Sequence, residues 1–172
     1  MPKNPNSSDF VIGIIGAGAM GRGIAQIMAT GGMEVLLFDT SQEAAEVGKE
    51  FAERMILRAG EKGLMSEEES QVAVQQLKVV AQLSDLAATD LIIEAVIEDL
   101  EIKRQVFTSL EKIVTKDCIL ATNTSSLSVA AIASVMKYPG RFAGFHFFNP
   151  VPLMKVVEVV SGIETAQKTT DI

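Results

Sequence analysis

A single cysteine, a single histidine, a single tyrosine and no tryptophan occur in these 172 residues. One thiol, Cys118, cannot close an internal disulfide, so the fold must hold by burial alone and a reducing, cytoplasmic setting is expected. Basic residues are also in deficit: 15 Lys and Arg face 22 Asp and Glu, a net charge of −7. That balance excludes a general nucleic-acid binder, which needs a basic face to displace counterions. An anionic small molecule is still accommodated, because local amides and a few lysines can hold one inside an acidic protein. No apolar run approaches the roughly 20 residues that span a bilayer, so no membrane anchoring is expected. Residues 1–9, MPKNPNSSD, form a polar leader with neither the apolar stretch of a secretory signal nor the arginines of a transit peptide.

What is present is rich in aliphatic side chains, 48% hydrophobic overall, arranged as short β-rich runs between longer helical patterns. Residues 10–16 (FVIGIIG), 34–39 (EVLLFD), 78–81, 90–96, 118–123, 142–148 and 155–161 read as strands. Helices are expected at 19–32, closing on Gly31 and Gly32, at 41–60, at 100–114 and at 126–136. Another is expected at 66–77, behind a capping box of Ser66 and Glu69. Strands apolar on both faces and alternating with helices predict an α/β domain of Rossmann type, a doubly wound, mostly parallel sheet covered on both sides. The helix pair after strand two, residues 41–77, reads as a long insertion able to project as an arm. The last stretch, SGIETAQKTTDI, opens a helix that runs for only about two turns, and a further C-terminal part of the protein is expected beyond it. One domain is therefore expected over residues 10–172, after the leader.

GIIGAGAMG places Gly16, Gly18 and Gly21 in a G-x-G-x-x-G pattern that leaves an apolar strand and enters a helix, the context a dinucleotide loop requires. Gly16 permits the tight turn, Gly18 lets a pyrophosphate approach the backbone, and Gly21 lets helix and strand pack closely. Ala17, Ala19 and Met20 complete the loop, and the helix start offers unpaired N–H groups to the phosphates. Asp39 ends the second strand 18 residues after Gly21, where a carboxylate takes the adenosine ribose hydroxyls. Thr40 follows, with no nearby Arg to meet a 2′-phosphate, so NAD is expected rather than NADP. No metal site is expected.

RFAGFHFFNP, residues 141–150, holds the sole histidine. On a strand over 142–148, His146 lies near the carboxyl end, the edge of an open α/β sheet at which ligands bind. The next strand sets Glu158 among valines, where a buried carboxylate needs a partner. An imidazole supplies one, and the acid in turn fixes its tautomer and stabilises the imidazolium. The alternatives are a surface acid on an edge strand for Glu158 and a satisfied core group for His146.

GAGAMGRGIA, EAVIED (94–99), NTSSLS (123–128) and RFAGFHFFNPVPLMKVVEV together resemble the NAD-binding domain of L-3-hydroxyacyl-CoA dehydrogenases, including the 3-hydroxybutyryl-CoA type, over residues 9–165. The resemblance implies reversible oxidation of an (S)-3-hydroxyacyl-CoA to the 3-ketoacyl-CoA with NAD⁺ as hydride acceptor, as in fatty acid β-oxidation or butanoate metabolism. It implies His146 as the base, Glu158 as its orienting partner, and Ser125 as the group that holds the substrate oxygen near the nicotinamide. Asn123 would contact the cofactor, Glu98 and Lys103 would hold the nicotinamide ribose side, and Asn149 would border the nicotinamide. Arg54, Arg58 and Lys62 form a basic stripe on the second helix. Lys62 matches a position that binds part of CoA, although Met55 stands where the family carries a hydroxyl.

Plainer roles compete for several of these residues. A solvated helix face accounts for the basic stripe and for Lys103, a helix cap at Ser126 or Ser128 accounts for part of NTSSLS, and Cys118 is expected in the core. The family continues into an all-helical C-terminal domain that completes the acyl-CoA pocket, adds a catalytic asparagine and makes most of a dimer contact. The present sequence carries none of it and is expected to be the cofactor-binding half, slow by itself, of an enzyme that is a homodimer when whole. The polar leader implies no upstream hydratase domain. Two other functions share part of the pattern. Oxidation of a non-CoA hydroxy acid such as L-gulonate keeps the glycine loop and a His-x-x-Asn-Pro signature, and a silent NAD-binding module has no use for His146 paired with Glu158.

Overall fold

The computed structural model describes residues 3–7 and 9–171; Met1, Pro2 and Ser8 of the expected leader, and Ile172 at the expected domain end, lie outside the described residues. Seven strands form one sheet: β1 (Val11–Ile15), β2 (Glu34–Phe38), β3 (Leu77–Val79), β4 (Leu91–Glu94), β5 (Ile119–Thr122), β6 (Phe142–Phe147) and β7 (Val157–Val160). Their order is β3-β2-β1-β4-β5-β6-β7. The first six are parallel and β7 runs antiparallel to β6. The helices are α1 (Ala19–Thr30), α2 (Gln42–Glu61), α3 (Glu67–Gln75), α4 (Leu100–Leu110), α5 (Val129–Ala133) and α6 (Gln167–Thr170). The strand order reverses between β1 and β4, so a crevice opens at their carboxyl ends, the position at which such sheets take ligands.

Alternate side chains of each strand enter opposite layers. Ile12, Ile14, Val35, Leu37 and Ile93 are buried with Ile24, Ala25, Ala29 and Ile56 of α1 and α2. Ile92, Leu120 and Phe142 meet Phe107, Leu110 and Ile132 on the side of α4 and α5, where the Phe107 and Phe142 rings pack edge to face at 4.7 Å. Cys118 joins this second layer as expected, and burial pushes its thiol up to about 11. Among the described residues no helix is long and apolar enough to cross a membrane.

Three expectations change. α2 is not a free arm: Ala45, Gly48, Ala52, Ile56 and Gly60 are buried along its length, because its small residues let it pack on α1 and α3. The capping box of Ser66 and Glu69 does start α3. The last strand is not covered on both sides: every residue of β7 is exposed, because β7 is the edge of the sheet and pairs on one side only. α4 and α5 are shorter than the apolar spacing predicts. The chain after Leu110 tightens into turns, with the Lys112 amide on the Ser109 carbonyl and the Ile113 amide on the Leu110 carbonyl. α5 starts only after Ser128, whose side chain caps it by accepting from the Ala131 amide.

The turn from β1 into α1 is set by two close approaches. Gly16 has φ +97°, and a Cβ there would lie 2.6 Å from the Ala95 carbonyl oxygen. A Cβ on Gly21 would lie 1.7 Å from the Gly16 carbonyl oxygen. Gly21→Ala must therefore push the helix off the strand and is expected to cost at least about 1–3 kcal/mol of stability, as overpacking does. Urea denaturation measures this; a variant as stable as the parent would contradict the packing of the turn.

Candidate active site

The glycine loop is held in shape by Asp39. Its Oδ2 accepts from the Ala17 amide at 2.8 Å and its Oδ1 from the Ser41 amide at 3.0 Å. One carboxylate thus couples the loop after β1 to the loop after β2. Beside it a cleft of about 620 Å³ runs over the sheet edge, lined by Gly16, Gly18, Asp39, Thr40, Val96 and Ile102 among others. At Gly18 the situation is the reverse of that at Gly16 and Gly21. Its φ of −65° suits any residue, and a Cβ there would meet nothing within 4 Å. The fold itself does not require this glycine, so the space it leaves is free for a ligand. α1 begins at this point with no side-chain cap and no acidic residue in its first turn, which leaves its first amides and the positive end of the helix for an anion. Ala17, Ala19 and Met20 lie in the same turn. The residues present thus fit the pyrophosphate of a dinucleotide.

Across the crevice stands a charged cluster that sequence reasoning found only in part. Glu94 ends β4 and is fully buried. Its Oε1 accepts from the Lys103 ammonium at 2.6 Å and the Val96 amide at 2.8 Å, and its Oε2 from the Thr122 hydroxyl at 2.7 Å. Lys103 is not the solvated helix residue considered above. Its side chain is 1% exposed and ion-paired to Glu94, with Glu98 Oε2 at 3.5 Å. It therefore reaches the cleft through Glu98 and not directly. Glu94 went unrecognised, although an acid closing an apolar strand nine residues before a lysine was a readable sign.

Glu98 gathers the turn that carries Ser125. Its Oε1 accepts from the Thr124 hydroxyl at 2.5 Å, the Ser125 amide at 2.9 Å and the Ser126 amide at 3.0 Å, with both serine hydroxyls within 3.3 Å. Ser126 is used here, and Ser128 serves as the helix cap. Burial alone would raise the Glu98 carboxyl, but the bonds from Thr124, Ser126 and Ser125 and the Lys103 charge outweigh it and hold the group at about 2. Asn123, just before this turn, accepts from the Phe147 amide at 2.8 Å and so joins the ends of β5 and β6.

His146 and Glu158 are register partners across β6 and β7, with Nδ1 2.9 Å from Oε2. The reason expected for that pairing does not hold. The Glu158 side chain is 53% exposed, against 17% for the imidazole, so strand register and not the cost of a buried charge brings the two together. The surface acid on an edge strand and the partner of His146 are the same residue. Phe148 packs its ring 4.5 Å from the imidazole. Asn149 follows, exposed, at a cis bond to Pro150, and Val151 is buried with the α1 layer. Lys62 caps the exposed end of α2 and, with Arg58, Met55, Gln26, Pro152 and Leu153, lines a groove of about 510 Å³. Arg54 stands over the Phe51 ring at 5.4 Å and Arg22 at 3.9 Å. Among the described residues no group of three or more His, Cys, Asp or Glu side chains is placed to hold a metal ion.

Comparison with known proteins gives a consistent answer. The family described as 3-hydroxyacyl-CoA dehydrogenase, NAD binding domain, matches residues 11–172. A probable 3-hydroxybutyryl-CoA dehydrogenase of Deinococcus radiodurans is 41% identical over 160 residues, covering 93% of this chain and 57% of the relative. The 3-hydroxyadipyl-CoA dehydrogenase of Escherichia coli K12 is 41% identical over 93% of this chain and 34% of its own. The crystal structure of 3-hydroxybutyryl-CoA dehydrogenase from Escherichia coli K12 superposes with a TM-score of 0.92, covering 94% of this chain and 34% of that one at 41% identity. The chain thus spans between a third and three fifths of the length of these relatives.

The low Glu98 value has a pH consequence. Its folded value, about 2, lies below its ordinary 4.5. The stabilisation is therefore complete above about pH 4.5 and is lost as the pH falls through about 2. In a carboxyl-detected NMR titration Glu98 is expected to change near pH 2, with the Ser125 and Ser126 amides moving alongside. A midpoint in the ordinary carboxylate range would mean that the turn is not held this way.

Proposed function

The chain belongs to the family of the NAD-binding domain of 3-hydroxyacyl-CoA dehydrogenases, and from that premise we propose that it binds NAD across the β1–β4 crevice and serves the oxidation of (S)-3-hydroxyacyl-CoA to 3-ketoacyl-CoA. The observation that carries this reading is the His146–Glu158 pair, at 2.9 Å, on the same edge of the sheet as the glycine loop. A nucleotide-binding module without chemistry has no use for it.

In this reading the α1 start and Gly18 take the pyrophosphate, and Asp39 takes the adenosine ribose. Asp39 meets the loop amide with one oxygen and would repel a 2′-phosphate, which favours NAD over NADP. When bound, NAD⁺ supplies the hydride acceptor. His146 supplies the base. A carboxylate can only accept, so Nδ1 carries the hydrogen that points at Glu158 and Nε2 keeps its lone pair for the substrate hydroxyl. As the proton moves to Nε2, Glu158 stabilises the imidazolium. The same imidazole nitrogen can hand the proton back to the substrate oxygen, which suits a reversible reaction. Ser125, in the turn gathered by Glu98, holds the substrate oxygen; Glu98, Asn123 and Asn149 line the nicotinamide side, with Lys103 acting behind Glu98.

The groove ending at Lys62 suits the CoA portion, with Arg58 beside it. The exposed Val157 and Val159 on one face of β7 and Val160 on the other give apolar surface for the helical domain and homodimer that the family resemblance implies. A cytoplasmic enzyme, with Cys118 reduced, completes the reading.

Two measurements test it. This chain should bind NADH with one site in a fluorescence titration, and more weakly NADPH. Gly18→Asp supplies a better helix cap, so stability should hold or rise by up to about 1 kcal/mol. The same carboxylate occupies the amides meant for phosphate, so NADH affinity should fall more than about tenfold. In the whole enzyme, His146→Gln should lower turnover of 3-hydroxybutyryl-CoA by about 10²-fold or more while NADH affinity stays within a few fold. Retained turnover would overturn the assignment of the base, and preference for L-gulonate would overturn the CoA substrate.

A further inference from the structure

We propose that Glu94 is a positioning residue for the nicotinamide end of the cleft: through Lys103 it holds Glu98, and through Glu98 the turn that carries Ser125. The inference rests on the dehydrogenase reading for the identity of the ligand and on geometry for the rest.

The chain of contacts has three links. Glu94 is fixed from below, with one oxygen on the Thr122 hydroxyl of β5 at 2.7 Å and the other on the Val96 amide at 2.8 Å. Lys103, early in α4, places its ammonium 2.6 Å from Glu94 and 3.5 Å from Glu98. Glu98 turns Oε2 to that ammonium and offers Oε1 to Thr124, Ser125 and Ser126. Lys103 is 1% exposed, so leaving Glu94 would place a buried charge on its longer contact to Glu98 alone. Without that ammonium Glu98, whose side chain is 35% exposed, would keep its Oε1 bonds to the turn but lose the contact that fixes Oε2, so carboxylate and turn could shift together. The buried end of β4 therefore decides where a surface turn sits.

The same layout shows what Glu94 does not control. The adenosine half of the cleft is built on β1, β2 and α1, where Asp39 holds the loop by its own bonds to Ala17 and Ser41. Loss of Glu94 should thus affect one half of a dinucleotide and spare the other. A merely structural role would weaken both halves together.

The test is calorimetric titration of the chain with NADH and with ADP, which carries the adenosine and pyrophosphate but no nicotinamide riboside. Three proteins are compared: the parent, Glu94→Gln, and Glu94→Gln combined with Lys103→Met. ADP affinity is expected to stay within about twofold in all three, while NADH affinity falls about tenfold in Glu94→Gln. Glu94→Gln also lowers Tm by leaving the buried Lys103 with only its longer contact to Glu98; the double variant removes that poorly paired charge and regains most of the loss. It still has no cation behind Glu98, so NADH binding stays weak. Should Glu94→Gln fail to fold, the double variant carries the comparison. Equal losses for the two ligands, unchanged NADH affinity, or NADH binding that recovers with Tm in the double variant would each overturn the proposal. A parent protein that binds neither ligand would instead overturn the dehydrogenase reading.

Discussion

A lysine cut off from water has to be held by charge, and in this molecule Lys103 is that residue. Its ammonium sits between Glu94 and Glu98, with the lysine and Glu94 both buried. Such a pair contributes little net stability, because desolvation of two ions offsets most of their attraction. What it provides is position. An ion pair among Ile93, Thr122 and α4 tolerates few arrangements, since each alternative leaves a charge without a partner. The turn at Thr124–Ser126 inherits that rigidity through the bonds collected by Glu98, so a flexible run of serines behaves as part of the sheet.

The two sides of the crevice are stiffened by the same device. On one side Asp39 ties the glycine loop to the start of α2 with two backbone amides. On the other Glu98 ties the serine turn to α4. Each carboxylate accepts from main-chain donors that a strand-to-helix turn otherwise leaves unpaired. Between them Gly18 leaves open space. The walls are preorganised and the floor of the loop is empty, which is the condition for binding without a large ordering cost.

The third element depends on exposure. β7 lies at the edge with its valines in solvent, yet register alone sets Glu158 opposite His146. In antiparallel strands a shift by one residue would turn the acid to the other face. The pair thus depends on where β7 joins β6, and the valines on either side are not what brings it about.

Local patterns were enough to read the strands, the glycine turn and the capping box of α3, because each is settled by residues within a few positions of one another. The Gly16 and Gly21 contacts, the place of Asp39 at the end of β2 and the parallel sheet all follow from spacing and periodicity. Helix ends were read less well, since the turn after Leu110 and the capping of α5 by Ser128 depend on hydrogen bonds that apolar spacing does not report. For Lys103 a place on the nicotinamide ribose side and a solvated helix face both stayed open, because nothing in α4 itself shows that its long side chain is buried against Glu94. Tertiary structure alone decided that Glu94 lies beneath it, that α2 lies down on α1, and that Glu158 meets His146 from an exposed strand. In each case the partners are brought together by the packing of whole elements, and the energy that decides the contact belongs to that packing and to no single stretch of chain.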